Sequence, residues 1–378
     1  MKVAFISVDY PDAQRNVFPF VKALVESFAD RGNECAVIAP YSVTRNKRFH
    51  KIVSQEKTPN DARVTVIRPP YISLSKLRIG NVRFSERFHS WAVNRGVKRL
   101  PFKPDAVYGH FWQSALEGYN YCKRTGTPLF VATGESNIAE MFSCSPSLKT
   151  FYDLISGVIC VSSKNKDESI SLGLTKPEKC VVVPNAVDTS VFKTMDKREC
   201  REALNIQENS FVVAFVGWFN NRKGVLRVSD AIKKLEDKTV KSIFIGDGEQ
   251  QPDCDGILFK GPVAHNDIPV YLNAADIFVL PTLQEGCCNS IVEAISCGLP
   301  IVSSDKAFNW DILNDTNSIM VNPNNVDEIA LAINKLKSDG ELRQELAEGA
   351  LKTAEALSIA KRAERIELFI KEKSFGHA

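Results

Sequence analysis

The chain has 378 residues, of which 44% are hydrophobic and 25% are charged. At roughly 150 residues per domain, this length predicts two or three domains. The composition excludes fibrous, disordered and small disulfide-rich proteins. The longest unbroken apolar run, Phe211 to Phe219, is shorter than the roughly 20 residues that a membrane-spanning helix needs, so no bilayer-spanning segment is expected.

Cysteine usage and charge narrow the class of protein and its cellular compartment further. The ten cysteines are scattered and have no zinc-ligand spacing, which favours buried thiols in a reducing cytosol. The first residues form a short apolar run followed by acidic residues and lack the features of a secretory signal. The net charge of +3 hides an asymmetry: residues 1–185 hold 26 Lys and Arg against 16 Asp and Glu, and residues 186–378 hold 22 against 29. The two halves are therefore expected to face different partners.

In the first half, strand-length apolar runs alternate with helix-length amphipathic runs. The first unit is KVAFISV, then the helical pattern VFPFVKALVESFADRG with Gly32 as a C-cap, then ECAVIAP. This βαβ order predicts a parallel sheet covered by helices. The further predicted strands are VTVIRPP, DAVYGHF, PLFVATG, GVICVSS and KCVVVPN.

The second half repeats this alternation, so the expected fold class is α/β with two Rossmann-like, doubly wound parallel sheets. Its predicted strands are FVVAFVG, KSIFIGDG, GILFKG, DIFVLP, LPIVSS and SIMVNP, and helical patterns dominate from Asp327 onward. The predicted domains are residues 1–187 and 188–356, with a C-terminal helix of about 357–378 joining the first domain. Ligands of such sheets bind beyond the carboxyl ends of the strands, so an active site is expected between the domains.

The segment EGCCNSIVEAISCGLPIVSSD follows a predicted strand and carries two carboxylates eight positions apart. If a helix starts near Asn289, Glu285 lies in the loop before it and Glu293 on its first turn. The backbone amides from Gly286 to Asn289 would then bind an anion such as a diphosphate, and the carboxylates would accept hydrogen bonds from sugar hydroxyls. The alternative is that the acidic side chains only complement the helix dipole.

A second segment, VGWFNNRKG, turns at Gly217 and presents adjacent cations at Arg222 and Lys223. Such a pair at the end of a strand could neutralise a phosphate, and the alternative is two solvated surface cations. IGDGE indicates only a tight turn, and neither GxGxxG nor GxxxxGK[ST] occurs in the sequence. Dinucleotide and P-loop sites are therefore disfavoured.

Taken in order, these motifs resemble glycosyltransferase family 4, the retaining nucleotide-sugar enzymes of GT-B fold. VVVPNAVDTSVF is similar to that family's PNGVDxxxF, and EGCCNSIVEAISCGLPIVSSD is similar to its EGxxNxxxEAxxxGxPVV. VGWFNNRKG, IGDGE and VNPNNVDEIALAI fall in the corresponding places. The resemblance covers about residues 150–340 and implies a glycosyltransferase whose first half is the variable acceptor domain.

The resemblance assigns roles to individual residues. Arg222, Lys223 and Glu285 would be catalytic, with the two cations on the donor diphosphate and Glu285 on hydroxyls of the donor sugar. Glu293 would hold the ribose hydroxyls. The remaining donor-binding residues would be Gly217, Val263, Gly286, Cys287, Cys288 and Asn289.

The chain also departs from the family pattern. The family often has Gly-Arg where Trp218 follows Gly217, so the basic contact falls to Arg222 and Lys223. The usual double-glycine loop is missing from DYPDAQRNVFPF, and a common His-Gly is replaced in ATGES. The expected acceptor-side residues are Arg15, Asn16, His110, Gly134 and Glu135. For His110, an acceptor contact, a proton shuttle and a buried structural histidine all stay open.

The resemblance implies a retaining hexosyltransferase that acts by front-face attack, without a covalent nucleophile, a cofactor or a metal. Its partners would be a nucleotide-diphosphate sugar and a glycan or lipid-linked glycan, in cell-surface polysaccharide or lipopolysaccharide synthesis. Residues 51–100 hold 11 Lys and Arg against 3 Asp and Glu. This excess of cations suits binding to an anionic membrane surface or to a lipid-diphosphate acceptor, and the alternative is a solvated face with no ligand. No nucleic-acid module is recognisable, so nucleic acid is not an expected partner. The expected location is the cytoplasm, including the cytoplasmic face of the membrane.

Three other readings stay open. A sugar-nucleotide epimerase of the same fold would use the same diphosphate site without an acceptor. A dehydrogenase would need a glycine fingerprint that this sequence lacks. A catalytically idle sugar-nucleotide-binding scaffold would be expected to lose Glu285, Arg222 or Lys223, and all three are present.

Overall fold

The computed structural model describes residues 1–12, 15, 17–46, 51–73, 78–79, 82–142 and 146–376. The chain forms two compact units. The first comprises Met1–Val161, Asn165–Val183 and Ile359–Ala378, and the second comprises Ser162–Lys164 and Pro184–Ser358. The sequence predicted domain boundaries after residue 187 and before residue 357. In the structure, the main segment of the second unit begins at Pro184, and the first unit resumes at Ile359.

The first unit is built on an eight-stranded sheet, and all seven strands predicted for this half are confirmed. Seven strands run parallel, because helices connect them, and their buried residues form continuous apolar runs. In sheet order the strands are Cys180–Val182, Ile155–Cys160, Leu129–Thr133, Ala106–His110, Lys2–Ile6, Glu34–Ile38, Arg63–Ile67 and Val53–Lys57.

The edge strand Val53–Lys57 pairs antiparallel with Arg63–Ile67 and was not predicted. Its sequence VSQEK has no apolar run, and its side chains are half-buried or exposed, as suits a sheet edge. Two short pairs complete the strands: Tyr41–Ser42 with Pro70–Tyr71, and Arg78–Ile79 with Val82–Arg83.

Helices cover the sheet of the first unit. Helix Pro19–Asp30 buries Val21, Leu24, Val25 and Phe28, the three- and four-residue spacing of one helix face. This helix ends one residue before a C-cap at Arg31, and Gly32 follows in the left-handed region. The others are Val43–Asn46, Phe84–Val97, Trp112–Thr125, Ile138–Met141, Lys149–Leu154, Ser163–Ser171 and the C-terminal Ile359–Phe375.

The C-terminal helix packs on the first unit. Ala363, Ile366 and Ile370 are fully buried in the core that contains the first strand. The Phe369 ring lies 6.1 Å from that of Phe130. Arg31 Nε donates to Glu367 Oε2 at 2.6 Å. The last residues of the chain therefore complete the core in which its first residues lie.

The second unit has a six-stranded, all-parallel sheet, and its six predicted strands are confirmed. In sheet order they are Ile257–Gly261, Val240–Ile245, Phe211–Val216, Ile277–Leu280, Ile301–Ser304 and Ser318–Val321. The helices are Lys197–Ala203, Val225–Lys234, Ile268–Ala274, Asn289–Ser296, Val326–Ser338 and Gly340–Ala354. No helix within the described residues is both long and apolar enough to cross a membrane.

Candidate active site

The candidate site lies in the second unit, where two neighbouring central strands end. Strand Phe211–Val216 pairs with Ile277–Leu280, so the loops that follow them leave the sheet at the same edge. Leu283 N donates to Arg222 O at 2.8 Å and joins the two loops through their backbones. The Arg222–Lys223 pair and Glu285, far apart in sequence, are thereby brought together.

Glu285 is the centre of the cluster. Its Oε1 accepts from Lys223 Nζ at 2.7 Å, from Arg222 Nη1 at 2.8 Å and from Thr282 Oγ1 at 2.9 Å. Lys223 and Glu285 are each 8% exposed, whereas the Arg222 side chain is about one third exposed. Both cations are therefore held by one carboxylate, and Arg222 keeps the greater access to a ligand.

Lys223 is buried as a charged group. Burial alone would lower the pKa of its ammonium, but the nearby Cys288 and Glu285 favour the charged form and leave the pKa above its ordinary value. Lys223 Nζ also donates to Cys288 Sγ at 3.4 Å. The alkyl stem of Lys223 lies beside Gly217, where a Cβ atom would be 3.4 Å from Cδ. A permanent positive charge is thus fixed beside the start of the next helix.

Helix Asn289–Ser296 begins where the sequence predicted, with Cys288 at its N-cap and no side-chain cap. The amides of its first turn have no partner within the helix, so they suit anion binding. The position predicted for Glu293 was wrong: it is the fifth residue of the helix that starts at Asn289, and at 3.6 residues per turn it lies in the second turn. Because no acidic residue occupies the first turn, the helix-dipole explanation fails.

Glu293 has a specific partner instead. Its Oε1 lies 3.0 Å from Nε2 of His265, in the segment after strand Ile257–Gly261. This hydrogen bond raises the pKa of His265 and outweighs the opposing effect of burial. The His265 ring also lies 5.0 Å from the ring of Phe192. Val263, expected to border the base, is half-buried in the same segment.

Asn185 is a site residue that the sequence analysis missed. Its Nδ2 donates to Cys287 O at 2.9 Å and to Asn289 Oδ1 at 2.8 Å. These bonds fix the buried segment Gly286–Cys288 and the first residue of the helix. The PNAVD motif was the available signal, although no local pattern shows that its amide reaches a loop about a hundred residues later.

IGDGE has a packing role at this edge of the sheet. Gly246 has φ +149°, and a Cβ atom there would lie 1.9 Å from Gly217 O. A Cβ on Gly248 would lie 2.4 Å from Phe219 O. The two glycines let this turn approach the loop that carries Arg222 and Lys223.

The expected acceptor-side residues lie in the first unit, apart from Asn16, which is outside the described residues. Arg15 donates through Nη2 and Nη1 to Asp9 at 3.1 and 3.3 Å, and both side chains stay partly exposed. His110 is 9% exposed, and burial together with the charge of Arg362 lowers its pKa to about 3. A shuttle that needs a protonated imidazole is therefore disfavoured.

Glu135 bonds the start of a helix. Its Oε1 accepts from the amide of Trp112, the first residue of helix Trp112–Thr125, and its Oε2 accepts from Thr133 Oγ1 and the Gly134 amide. It is 3% exposed, and burial raises its pKa against the opposing effect of these bonds. It therefore acts as a buried helix cap, with both carboxylate oxygens bonded within the first unit. Gly134 remains half-buried beside it.

Two family models together match most of the chain. The model for glycosyl transferases group 1 matches residues 196–353, and that for glycosyltransferase family 4 matches residues 19–191. The chain belongs to glycosyltransferase family 4. Arg222, Lys223, Glu285 and Glu293 lie within the group 1 match, and Asn185 lies within the family 4 match.

Curated relatives of this family 4 chain are similar over most of its length. A putative teichuronic acid biosynthesis glycosyltransferase of Bacillus subtilis, TuaC, is 23% identical over 94% of both chains. An Escherichia coli UDP-Gal:alpha-D-GlcNAc-diphosphoundecaprenol alpha-1,3-galactosyltransferase is 29% identical over 70% of this chain and 74% of its own. HepE of Anabaena, solved with UDP and glucose, superposes with a TM-score of 0.72 at 17% identity, covering 98% of this chain and 100% of its own. The fold is GT-B, and the chain is a glycosyltransferase.

Against the family pattern, the departure at Trp218 is visible in the structure. Trp218 is 64% exposed at the end of the central strand. Arg222, four positions later, reaches Glu285 from the same loop. The loop therefore keeps two cations near Glu285 although its first position is not basic.

Proposed function

We propose that this family 4 enzyme transfers a hexose-type sugar from a nucleotide-diphosphate donor to a hydroxyl of a glycan or lipid-linked glycan, with retention and without a metal ion. The observation that carries the proposal is the convergence of Lys223 and Arg222 on Glu285 beside the start of helix Asn289–Ser296. Two cations and a helix N-terminus suit a diphosphate, and a buried carboxylate suits sugar hydroxyls.

In the proposed reaction, the bond between the anomeric carbon and the diphosphate oxygen breaks as the bond to the acceptor oxygen forms. Charge develops on the departing diphosphate, where Lys223 and Arg222 stabilise it. The departing phosphate oxygen takes the acceptor's proton on the same face of the sugar. Glu285 orients the donor sugar and Glu293 the ribose, so no side chain serves as a covalent nucleophile.

The two side-chain cations are the reason for proposing metal independence, because they can supply the charge that a divalent ion would otherwise bring. The test is transfer activity with and without EDTA after the protein has been dialysed against chelator. Unchanged turnover is expected. Loss of activity in EDTA with recovery in Mg²⁺ would reject this part of the proposal.

Curated relatives support the substrate classes. The Escherichia coli relative is named for a UDP-galactose donor and an acceptor linked to diphosphoundecaprenol, and TuaC is named for teichuronic acid synthesis. HepE binds UDP. We therefore rank a UDP-sugar and a cell-surface polysaccharide or lipopolysaccharide pathway first.

A cytoplasmic location at an anionic membrane surface is part of the proposal. In the basic segment 51–100, helix Phe84–Val97 exposes Phe88 and Trp91, and the Arg95 guanidinium lies 4.6 Å from the Trp91 ring centroid. Aromatic side chains next to cations suit a headgroup layer. Co-flotation with vesicles containing anionic lipid, decreasing with salt, is expected. Flotation that does not depend on lipid charge would reject it.

The main test is a thermal-shift screen without metal, using UDP, GDP, ADP and their common sugar conjugates. A ligand that binds only the folded protein raises its melting temperature. A shift with one nucleotide family, followed by NMR of a product whose anomeric configuration matches the donor, is expected. An inverted product would reject retention, donor turnover without an acceptor would favour the epimerase, and binding without turnover would favour the idle scaffold.

A further inference from the structure

An aromatic cluster stands at the carboxyl edge of the sheet in the first unit. Strands Lys2–Ile6 and Ala106–His110 pair in parallel and end at this edge. The rings of Phe18, Phe20 and Phe111 surround His110, and we call these three phenylalanines the aromatic platform. Ring centroids lie 6.1 Å apart for Phe18 and Phe111, 5.4 Å for Phe20 and His110, and 4.4 Å for His110 and Phe111. All three phenylalanines are half-buried, and Phe18 and Phe20 also pack against the core of the first unit, so each residue keeps some surface exposed to solvent.

Two members of the platform have strained backbones. Phe111 has φ 75° and ψ 157°, a region occupied almost only by glycine, in the single residue between the strand and helix Trp112–Thr125. Glycine would make the same turn without strain of about 1–3 kcal/mol. Because the chain has phenylalanine there, the turn alone does not explain the residue. Strain of this kind concentrates at functional sites.

Phe18 supports the same reasoning independently. It is the N-cap of helix Pro19–Asp30, in the left-handed region at φ 52° and ψ 48°, with no side-chain cap. Asparagine or aspartate would tolerate this left-handed conformation at a lower cost than phenylalanine. The chain has phenylalanine there instead, with its ring 6.1 Å from that of Phe111.

The surroundings of the platform suit a sugar. His110, whose pKa is about 3, is uncharged near neutral pH, and within the described residues its buried Nδ1 has no hydrogen-bond partner. The segment that leads from the first strand to Phe18 carries the partly exposed Asp9–Arg15 pair. Aromatic faces beside a few polar groups match a pyranose, which has one apolar C–H face and a rim of hydroxyls. The charged Asp9–Arg15 pair on the segment that leads into Phe18 favours a hydroxylated ligand over an alkyl chain.

We propose that the aromatic platform binds the apolar face of the pyranose ring that accepts the transferred sugar. This rests on the proposed function, since an acceptor glycan is assumed. It assigns acceptor contact to Phe18, Phe20 and Phe111, and the buried Glu135 is not needed for it. It also makes the acceptor's terminal sugar, rather than a lipid chain, the recognised group.

The test is saturation-transfer NMR with the methyl pyranosides of glucose, galactose, mannose and N-acetylglucosamine, none of which needs turnover. At least one is expected to bind, with the strongest saturation on the protons of one ring face. Phe111→Leu and Phe18→Leu keep an apolar side chain but remove the π face, so they should weaken binding about three- to tenfold. Phe375→Leu, an exposed phenylalanine at the end of the C-terminal helix, is the matched control and should have no effect.

Unchanged binding in both platform variants, or binding of none of the pyranosides, would overturn the proposal. Binding of short-chain isoprenyl phosphates, lost in the same variants while no pyranoside binds, would assign the platform to a lipid instead. If Phe111→Leu does not fold, Phe20→Leu tests the same surface, because Phe20 has no strained backbone. The thermal shifts of each variant with UDP, GDP and ADP are measured alongside. No shift of the wild type with any of these nucleotides, while pyranoside binding is intact, would reject the proposed function and leave only the sugar-binding role of the platform.

Discussion

Replacing Lys223 by methionine removes the buried charge while keeping an unbranched side chain of similar length. The loss to folding is limited, because Glu285 Oε1 keeps its bonds from Arg222 at 2.8 Å and Thr282 at 2.9 Å. Two hydrogen bonds are lost, the charge-assisted one to Glu285 Oε1 at 2.7 Å and a weaker one to Cys288 Sγ at 3.4 Å. The first is worth about 1.5–3 kcal/mol, and removing a buried ammonium offsets part of the loss. At about 2–4 °C per kcal/mol, the melting temperature should fall by less than roughly 10 °C.

The effect on catalysis should be larger. If Lys223 stabilises the departing diphosphate, removing it resembles the loss of one preorganised donor to a developing anion, about 3–4 kcal/mol or a 10²- to 10³-fold fall in kcat. The assay is nucleotide release with the donor identified by thermal shift, alongside circular dichroism and melting temperature. Lys233→Met is the matched control: Lys233 Nζ bonds Asp253 Oδ1 at 2.6 Å on the same unit but is largely solvated, so turnover should stay within about twofold. A folded Lys223→Met enzyme with turnover within a few-fold of wild type would refute the leaving-group role.

Three further predictions follow from contacts in the second unit. Asn185→Ala removes two hydrogen bonds worth about 1 kcal/mol each, so the donor KM should rise about tenfold or more with kcat less affected; an unchanged KM would contradict its positioning role. His265 has a pKa raised above its usual 6.5 by Glu293, so this pair should stabilise the fold fully below pH 6.5 and lose that effect as pH rises through the raised pKa. The difference between wild type and His265→Gln in urea unfolding should follow that course, and a difference that grows with pH would exclude it. Arg201→Ala removes the guanidinium that bonds Asp276 Oδ2 at 2.8 Å and Ala274 O at 3.0 Å, while Lys197 Nζ stays on Asp276 Oδ1 at 2.5 Å. The free energy of unfolding should fall by about 1.5–3 kcal/mol, the contribution of a hydrogen bond between charged groups, and a change below about 0.5 kcal/mol would contradict this.

The strands were predictable because parallel strands between helix layers are buried on both faces and appear as continuous apolar runs. Phe211–Val216 is buried at every position and is the clearest example. Strand Val53–Lys57 was not predicted because an edge strand needs no apolar run. Its pairing depends on the neighbouring strand rather than on its own sequence.

For the candidate site, sequence supplied the loops but not the geometry within them. Strand order places the residues after Val216 and Leu280 at one edge, but the meeting of three donors on one oxygen of Glu285 depends on side-chain conformations. Asn185 reaches its loop only through the tertiary fold. Glu135 shows the opposite case: a carboxylate in a promising loop turned out to be buried as a helix cap.

The charges around Glu285 connect the departure at Trp218 to the proposed chemistry. Two cations share one carboxylate, so an excess positive charge is present before any donor binds, and Cys288 and Glu285 together keep the pKa of the buried Lys223 above its ordinary value. In the proposed complex, diphosphate oxygens would take the hydrogen bonds of the two cations, and Glu285 Oε1 would then accept from sugar hydroxyls. Both halves of the donor would be recognised through one exchange of hydrogen-bond partners. An arginine directly after Gly217 is then dispensable, because Arg222 supplies the second charge from the same loop. Trp218 is not needed for that charge, and its side chain is exposed at the edge of the sheet.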